Sequence, residues 1–382
     1  VASESGDASE IAAPSVYAAQ PVRRGDAGAQ PRRWRAGGHN GRPPNRTGGV
    51  MDHEISRAWK RWGRLVFAVV CASTTFALVA GNASATVEHL PNGAVVSYQP
   101  LKGARNASRF SNFVNLEFHG GPVMSSGNTD YVIFWKKKGT VYAPRYAAGV
   151  KTFWKNLAHD SGQTTNVDSI GAQYGAPYSV TFGGALTDKD PYPANGCSQA
   201  TICLTDSQIR EEIAKFVTAK GLPTGLGAEY FLLTPEGVES CFTATGGECS
   251  ANSTSPYYCA YHSAIVTGGG ARIVYSNDPY VYGKLCDEPS QHPNGTGDAA
   301  LLGGMSHEHL ESVTDPELNA WFNQYGEEIG DICRSNEPAS EFGTVLGTAP
   351  DGSPYNQVIN KKDYWYQQEW SNVGSTCKQH NP

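Results

Sequence analysis

The chain has 382 residues, 39% hydrophobic and 17% charged, with a formal net charge of −6. That length can bury a large core, and the acidic balance excludes the usual electrostatic route to nucleic acid, which needs clustered cations against phosphate. The acidity deepens along the chain: residues 86–382 hold 19 Lys+Arg against 30 Asp+Glu, a net −11.

Residues 1–50 are rich in Gly, Ala, Pro and Arg, with Arg pairs at Arg23-Arg24 and Arg32-Arg33. They lack apolar periodicity, so they read as a disordered extension or as upstream sequence ahead of a start at Met51, in preference to a basic nucleic-acid-binding tail. Residues 51–85 read as a secretory signal. Lys60, Arg61 and Arg64 precede an apolar run from Leu65 to Ala80, and Ala83-Ser84-Ala85 supplies a small-x-small exit. The run is shorter than the roughly 20 residues that span a bilayer, which disfavours an uncleaved anchor. Cleavage after Ala85 gives a secreted, extracellular domain of residues 86–382, with membrane contact only through the signal.

Cysteine usage agrees with export. Cys71 lies in the apolar run, and eight others follow: Cys197, Cys203, Cys241, Cys249, Cys259, Cys286, Cys333 and Cys377. An even number suggests up to four bridges, Cys197 with Cys203 being a natural local loop. No CxxC pair is present, which disfavours a cysteine zinc cluster.

From Thr86 to about Arg109 the chain reads as a polar, irregular lead-in. Val114 to Phe118 alternates like a half-buried strand, and HGGP (119–122) breaks it. Tyr131 to Trp135 is a continuous β-branched and aromatic run, expected to be buried on both faces and closed by a solvated Lys136 to Lys138. Tyr146 to Ala158 suits a helix with Val150, Phe153, Trp154 and Leu157 on one stripe. A second helix carries a capping box, Thr205 with Gln208. It has apolar positions at Ile209, Ile213, Phe216 and Val217, and Gly221 and Pro223 stop it. Strands follow at Glu229 to Thr234, Tyr258 to Val266 and Ala271 to Tyr275. The expected fold is one mixed-sheet α/β (α+β) domain with flanking helices, disulfide-stabilised. Residues from about 335 to 353 read as loop. The aromatic tail from Tyr364 to Trp370 is expected to pack back on the body, with carbohydrate stacking as its alternative.

The strongest local signal is DAALLGGMSHEHLESVTDP, residues 298–316. Asp298 can cap a helix, and Pro316 ends one by pushing Asp315 out of helical geometry. His307 and Glu311, four apart, share a face. HExxE at 307–311 is a variant of the zincin-like HExxH pattern. His307 and Glu311 would bind zinc and Glu308 would be the general base on water. Ala300, Gly303 and Gly304 on that face allow close approach. His309 points away from His307. A third ligand is sought in GEEIGDIC, which offers Glu327, Glu328 and Asp331, or at His262. Glu328 with Asp331 resembles the downstream-Glu arrangement of gluzincin-type metallopeptidases. His262 or Tyr261 is a candidate for steadying an oxyanion.

Several stretches together resemble the phosphate-induced protein, or EXORDIUM-like, family. They are HGGPVM (119–124) with YVIFW (131–135), CAYH (259–262), SHEHLESVTDPELNAWF (306–322) and EEIGDIC (327–333). The chain departs from the plant pattern at CAYH and His309. That family comprises extracellular plant proteins linked to growth, with bacterial relatives. The resemblance implies a secreted bacterial relative with a common fold, and one site holding His307, Glu308, Glu311, Glu328 and Asp331; it implies no settled activity. Three functions compete. The first is a zinc-dependent hydrolase, of metallopeptidase type, acting on peptides or proteins. The second is a non-catalytic extracellular protein that binds cell-wall polysaccharide or a receptor, with a structural metal such as calcium. The third, a serine or cysteine hydrolase, lacks a GxSxG elbow.

Overall fold

A computed structural model describes residues 86–101, 114–288, 290–334 and 341–382, all within the compact unit Phe76–Pro382. The expected extension and signal, 1–50 and 51–85, lie outside the described residues. Among the described residues, no helix is long and apolar enough to cross a membrane.

The lead-in expected to be irregular forms β1 (Val87–His89) and β2 (Val95–Pro100), an antiparallel pair. Pro91-Asn92-Gly93 turns it, with Gly93 at φ 84°. The strand expected at 114–118 shrinks to β3 (Glu117–Phe118). Then come β4 (Asn128–Trp135), α1 (Tyr146–His159), a 3-10 turn (Val167–Tyr174), β5 (Val180–Asp188) and β6 (Ile202–Thr205). Next are α2 (Asp206–Lys220), β7 (Ala228–Leu233), β8 (Val238–Cys241), β9 (Cys249–Ser250), β10 (Pro256–Val266) and β11 (Arg272–Asp278).

A ten-stranded mixed sheet runs β5-β4-β7-β11-β10-β9-β8-β6, with β2 added beside β10 and β1 beside β2. The β5-β4-β7-β11 wing is parallel, whereas β10 pairs antiparallel with both β11 and β2. The chain is therefore mixed α/β, as its alternation implies.

The sheet separates two cores because side chains alternate across each strand. On β4, Val132 and Phe134 face one core with α1, while Ile133 and Trp135 face the other with α2. The expectation of a strand buried on both faces holds, and Lys136 to Lys138 are exposed where it ends. Helix α2 has the expected capping box: Thr205 N donates to Gln208 Oε1 at 2.9 Å, and Gln208 N donates to Thr205 Oγ1. Gly221 at φ 61° closes the helix, and Ile209, Ile213, Phe216 and Val217 are buried. Burying each contributes roughly 1.5–3 kcal/mol.

All eight cysteines pair: Cys197–Cys203, Cys241–Cys249, Cys259–Cys286 and Cys333–Cys377. The last two matter for function. They tie β10 to the loop leading into the HExxE helix, and the Asp331 segment to the C-terminal tail. That tail packs back as expected, with Tyr364, Trp365, Tyr366 and Trp370 all buried. Burial leaves those rings unavailable for carbohydrate stacking.

Candidate metal centre

The HExxE segment is not one straight helix. Its first turn, α3 (Asp298–Ala300), passes into a widened π-type turn (Leu301–Met305) and then α4 (Ser306–Thr314). Gly304 breaks the path at φ 133°, ψ −20°, and a side chain there would collide with Ala260. Such widened turns recur at functional sites. Gly303 similarly abuts Val281. The small residues allow the expected close approach, and what approaches is the chain itself, at Ala260 and Val281. Gly297, not Asp298, occupies the N-cap, because Asp298 turns back to accept from Asn294 N at 2.7 Å. Pro316 acts as expected: Asp315 leaves the helix at φ −145°, and its Oδ1 accepts from Asn319 N and Ala320 N at 2.6 and 2.7 Å.

Helix α4 crosses β2, β10 and β11 with all nine residues buried. Its polar side chains meet residues from four other parts of the chain. His307 Nε2 lies 3.1 Å from Glu311 Oε1 and 3.7 Å from Asp331 Oδ1. On the other side of Glu311, its Oε2 lies 3.6 Å from His262 Nδ1, and His262 Nε2 lies 3.8 Å from Glu328 Oε1. Ligand atoms of His307, Glu311 and Asp331 fall within 4.8 Å of one another, and so do those of His262, Glu311 and Glu328. Zinc bonds of about 2.0–2.2 Å require ligand separations of roughly 3–4 Å, so the spacing fits a cation.

The unpaired atoms make the same case. His307 Nε2, His262 Nε2, Glu311 Oε2, Asp331 Oδ1 and both Glu328 carboxyl oxygens are buried without a hydrogen-bond partner. Buried polar atoms are mostly satisfied in folded proteins, so this cluster of unpartnered atoms facing one another is an arrangement that could hold an ion.

Surrounding groups hold both imidazoles in the ligand tautomer. Gln367 Oε1 lies 3.3 Å from His307 Nδ1, and Gln367 Nε2 donates to Gly330 O at 2.6 Å. A proton on Nδ1 leaves the Nε2 lone pair aimed at Glu311 and Asp331. Glu308 does the same for His262: its Oε2 is 3.1 Å from Nδ1, while its Oε1 accepts from Gln99 N at 3.1 Å. Both Glu308 oxygens are therefore engaged, an arrangement unlike the free base that HExxE spacing suggests. The Asp331 segment closes over the helix because Gly330 has no side chain. A Cβ there would lie 2.5 Å from His307 Nδ1 and 3.0 Å from Glu311 Oε1. Asp331 N donates to Glu311 Oε1 at 3.2 Å, and Thr86 Oγ1 donates to Asp331 Oδ2.

Burial and mutual repulsion set the electrostatics. Burial, then the charges of Asp331 and Glu308, push the Glu311 carboxyl well above its usual range. Burial, then Glu311 and Asp315, do the same to Glu328. Burial raises Glu308 to about 8 and lowers His262 to about 4. Burial and mutual repulsion thus disfavour ionising these carboxyls together, a cost that an added cation would offset.

Of the sequence candidates, the fold unites His307, Glu308, Glu311, Glu328, Asp331 and His262. Glu327 is absent from the cage; its Oε2 accepts from Asn323 Nδ2 at 2.7 Å. Tyr261, weighed for the oxyanion, faces the opposite core, where its hydroxyl donates to Asp206 Oδ1 at 3.0 Å. Adjacent strand residues point to opposite faces, so His262 and Tyr261 cannot share a site. His309 indeed turns from His307. It meets Glu229 Oε2 at 2.9 Å and Asp168 Oδ1 at 3.6 Å. Thr86, Gln99 and Gln367 carried no motif and emerge only from the fold.

The chain is 24% identical to Protein EXORDIUM-like 3 of Arabidopsis thaliana over 316 residues, covering 74% of this chain and 91% of the relative. The EXORDIUM-like family is thereby supported. No family model matches the chain, and no solved structure matches it. The likeness to the relative spans most of the domain and carries no catalytic role with it.

Proposed function

We propose that this EXORDIUM-like chain is a secreted, zinc-dependent hydrolase of the metallopeptidase type, built on His307, Glu311 and Asp331. The observation that carries the reading is the set of buried, unpartnered ligand atoms around Glu311. Two imidazole nitrogens among them favour zinc over calcium, which prefers an all-oxygen shell. When bound, a divalent cation in this cage supplies Lewis acidity toward a carbonyl and toward water.

The remaining work falls to the chain's own residues. Glu308 keeps His262 oriented, and Gln367 keeps His307 oriented. Glu328 also lines a cleft of about 280 Å³ together with Val87, Asp315, Leu318 and Phe322. The cleft is mostly apolar, as a substrate side chain would require. Glu328 has two oxygens without partners. It is therefore the carboxylate of the cage that faces the cleft, whereas Glu308 is engaged through both oxygens.

The test is hydrolysis of a fluorogenic peptide library by the purified protein, before and after chelation. Activity is expected to vanish on chelation, to return with Zn²⁺, and to fall roughly 10²-fold or more in Glu328→Gln. A smaller loss is expected in Glu308→Gln. Hydrolysis that survives chelation, or a purified chain without divalent metal, ends this reading.

One observation favours a second reading. Glu328 and Glu311 are 1% and 0% exposed, as closed as a structural site. In that reading the cation only holds α4 to the sheet, in a non-catalytic extracellular protein. Metal binding without turnover of any peptide would favour it. Wall-polysaccharide stacking by the aromatic tail has no support, given the burial of those rings.

A further inference from the structure

We propose that the centre holds two cations, bridged by the carboxylate of Glu311. This rests on the metal reading above and deepens it. The observation is that the ligand atoms form two trios that share only Glu311: His307 with Asp331 on one side, His262 with Glu328 on the other. Glu311 serves them with different oxygens. Its Oε1 is the atom 3.1 Å from His307 Nε2; its Oε2 lies 3.6 Å from His262 Nδ1, on the ring whose Nε2 is 3.8 Å from Glu328 Oε1.

Each trio has the same build: one imidazole, one private carboxylate and one oxygen of the shared carboxylate. Each imidazole is fixed from behind, His307 by Gln367 and His262 by Glu308. Each trio also keeps buried atoms with no partner: His307 Nε2 and Asp331 Oδ1 in one, His262 Nε2 and both Glu328 oxygens in the other. A single ion in the first trio would satisfy the first set and leave the second orphaned. A carboxylate that bridges through its two oxygens holds cations about 3.5–4 Å apart, the spacing of two-metal hydrolytic centres.

Charge permits the same count. Glu308, Glu311, Glu328 and Asp331 carry four negative charges when ionised, and among the described residues no Lys or Arg forms an ion pair with any of them. Buried Glu369 and Asp315 add to that charge, so the cage has room for more than one divalent cation. Only the second trio borders the cleft, through Glu328. The cation held by His262 and Glu328 is thus the one a substrate reaches, and the His307–Asp331 cation lies behind it. This division reconciles the deep burial of His307 with access to the centre.

The test is metal stoichiometry of the purified full protein saturated with Zn²⁺ and freed of excess, with a parallel Mn²⁺-loaded sample read by electron paramagnetic resonance. Two equivalents of zinc and an exchange-coupled manganese spectrum are expected. His307→Ala and, separately, Glu328→Gln should each fall to one equivalent and give an isolated-ion spectrum. Glu328→Gln preserves side-chain volume, so it covers the case in which His307→Ala fails to fold. One equivalent in the unaltered protein, undiminished by Glu328→Gln, overturns the two-cation centre and leaves the single-zinc reading standing. No bound metal in the unaltered protein overturns both.

Discussion

His307 and His309 stand two residues apart on one buried helix, yet their surroundings suit them to opposite tasks. His307 Nδ1 faces a neutral carboxamide, Gln367, and its Nε2 is left without a hydrogen bond among carboxylates. His309 has carboxylates at both nitrogens, Glu229 at 2.9 Å and Asp168 at 3.6 Å, with Asp130 also close enough to act on it. Its pKa rises to about 9, burial opposing the rise and the charges of Asp130 and Glu229 driving it. His309 is thus a cation supplied by the chain, inserted into a nest of acids. Among the described residues the acids near His307 form no ion pair with Lys or Arg, and in the proposed function a bound cation would take that place. The two histidines differ in their second nitrogen: His309 has a carboxylate at each, whereas His307 has Nε2 free of any hydrogen bond.

The largest expected effect breaks this comparison at His309. His309→Leu removes the histidine set among Asp130, Glu229 and Asp168, and leaves buried acids uncompensated. Losing one member of a buried ion cluster costs about 3–5 kcal/mol. Urea unfolding should show a loss of that size, while metal content stays that of the unaltered protein. A variant as stable as the parent but depleted of metal would invert the roles assigned to the two histidines.

A buried acid far from both histidines supplies the yardstick. Glu239 on β8 accepts from Ser250 Oγ at 2.5 Å, and burial raises its pKa from 4.5 to about 7, with the Ser250 hydrogen bond opposing. The folded state therefore holds this proton more tightly than the unfolded chain. Its contribution to stability is fully present below pH 4.5 and is lost as the pH rises through 7. The span corresponds to a change on the order of 3 kcal/mol. Glu239→Gln should match the parent near pH 4 and exceed it in stability near pH 8, in urea titrations at the two pH values. Equal stability at both would mean that burial alone does not burden an unpaired acid in this fold. The contrast between the two histidines would then lose its energetic basis.

Local signals carried much of this architecture. Thr205, Gln208 and Gly221 mark both ends of α2 within one turn of chain, and the run from Tyr131 to Trp135 announces a strand between two cores. HExxE brings His307 and Glu311 together by helical geometry alone. What stayed hidden depended on distant pairing. The hairpin of β1 and β2 is hard to read because its first strand is only three residues long, although Pro91-Asn92-Gly93 between Val87 and Val96 has the chemistry of a tight turn. Strand β5 is masked by Gly183 and Gly184, the second at φ 135°, where pairing with β4 slips between Asp130 and Tyr131. His262 reaches the cage only through the face that β10 presents after an irregularity between Tyr258 and Ala260. Irregularities of this kind re-aim side chains near functional sites. Gln367 is 60 residues from His307 in the chain and has no signature at all.

That glutamine gives the finest test of the comparison, and the smallest effect. Gln367 touches His307 Nδ1 through Oε1 and Gly330 O through Nε2, so it fixes the ring and the Asp331 segment with one amide. Gln367→Ala should free the ring without altering any ligand. Loss of such an orienting partner typically costs 10–100-fold in metal affinity, about 1.4–2.8 kcal/mol. Gln367→Glu poses the sharper question, because it gives His307 the anionic rear partner that His309 already has. A carboxylate there stabilises imidazolium, which opposes the cation most at low pH, whereas at high pH it orients the neutral ring as Glu308 orients His262. Competitive zinc titration with a chromophoric chelator, at pH 6 and pH 8, reads both variants. The expected result is a modest, pH-independent loss in Gln367→Ala and a loss in Gln367→Glu that grows toward pH 6. Tighter binding in Gln367→Glu at both pH values would show that a rear carboxylate alone does not turn His307 into a counter-ion, leaving the second carboxylate at His309 as the cause of the contrast.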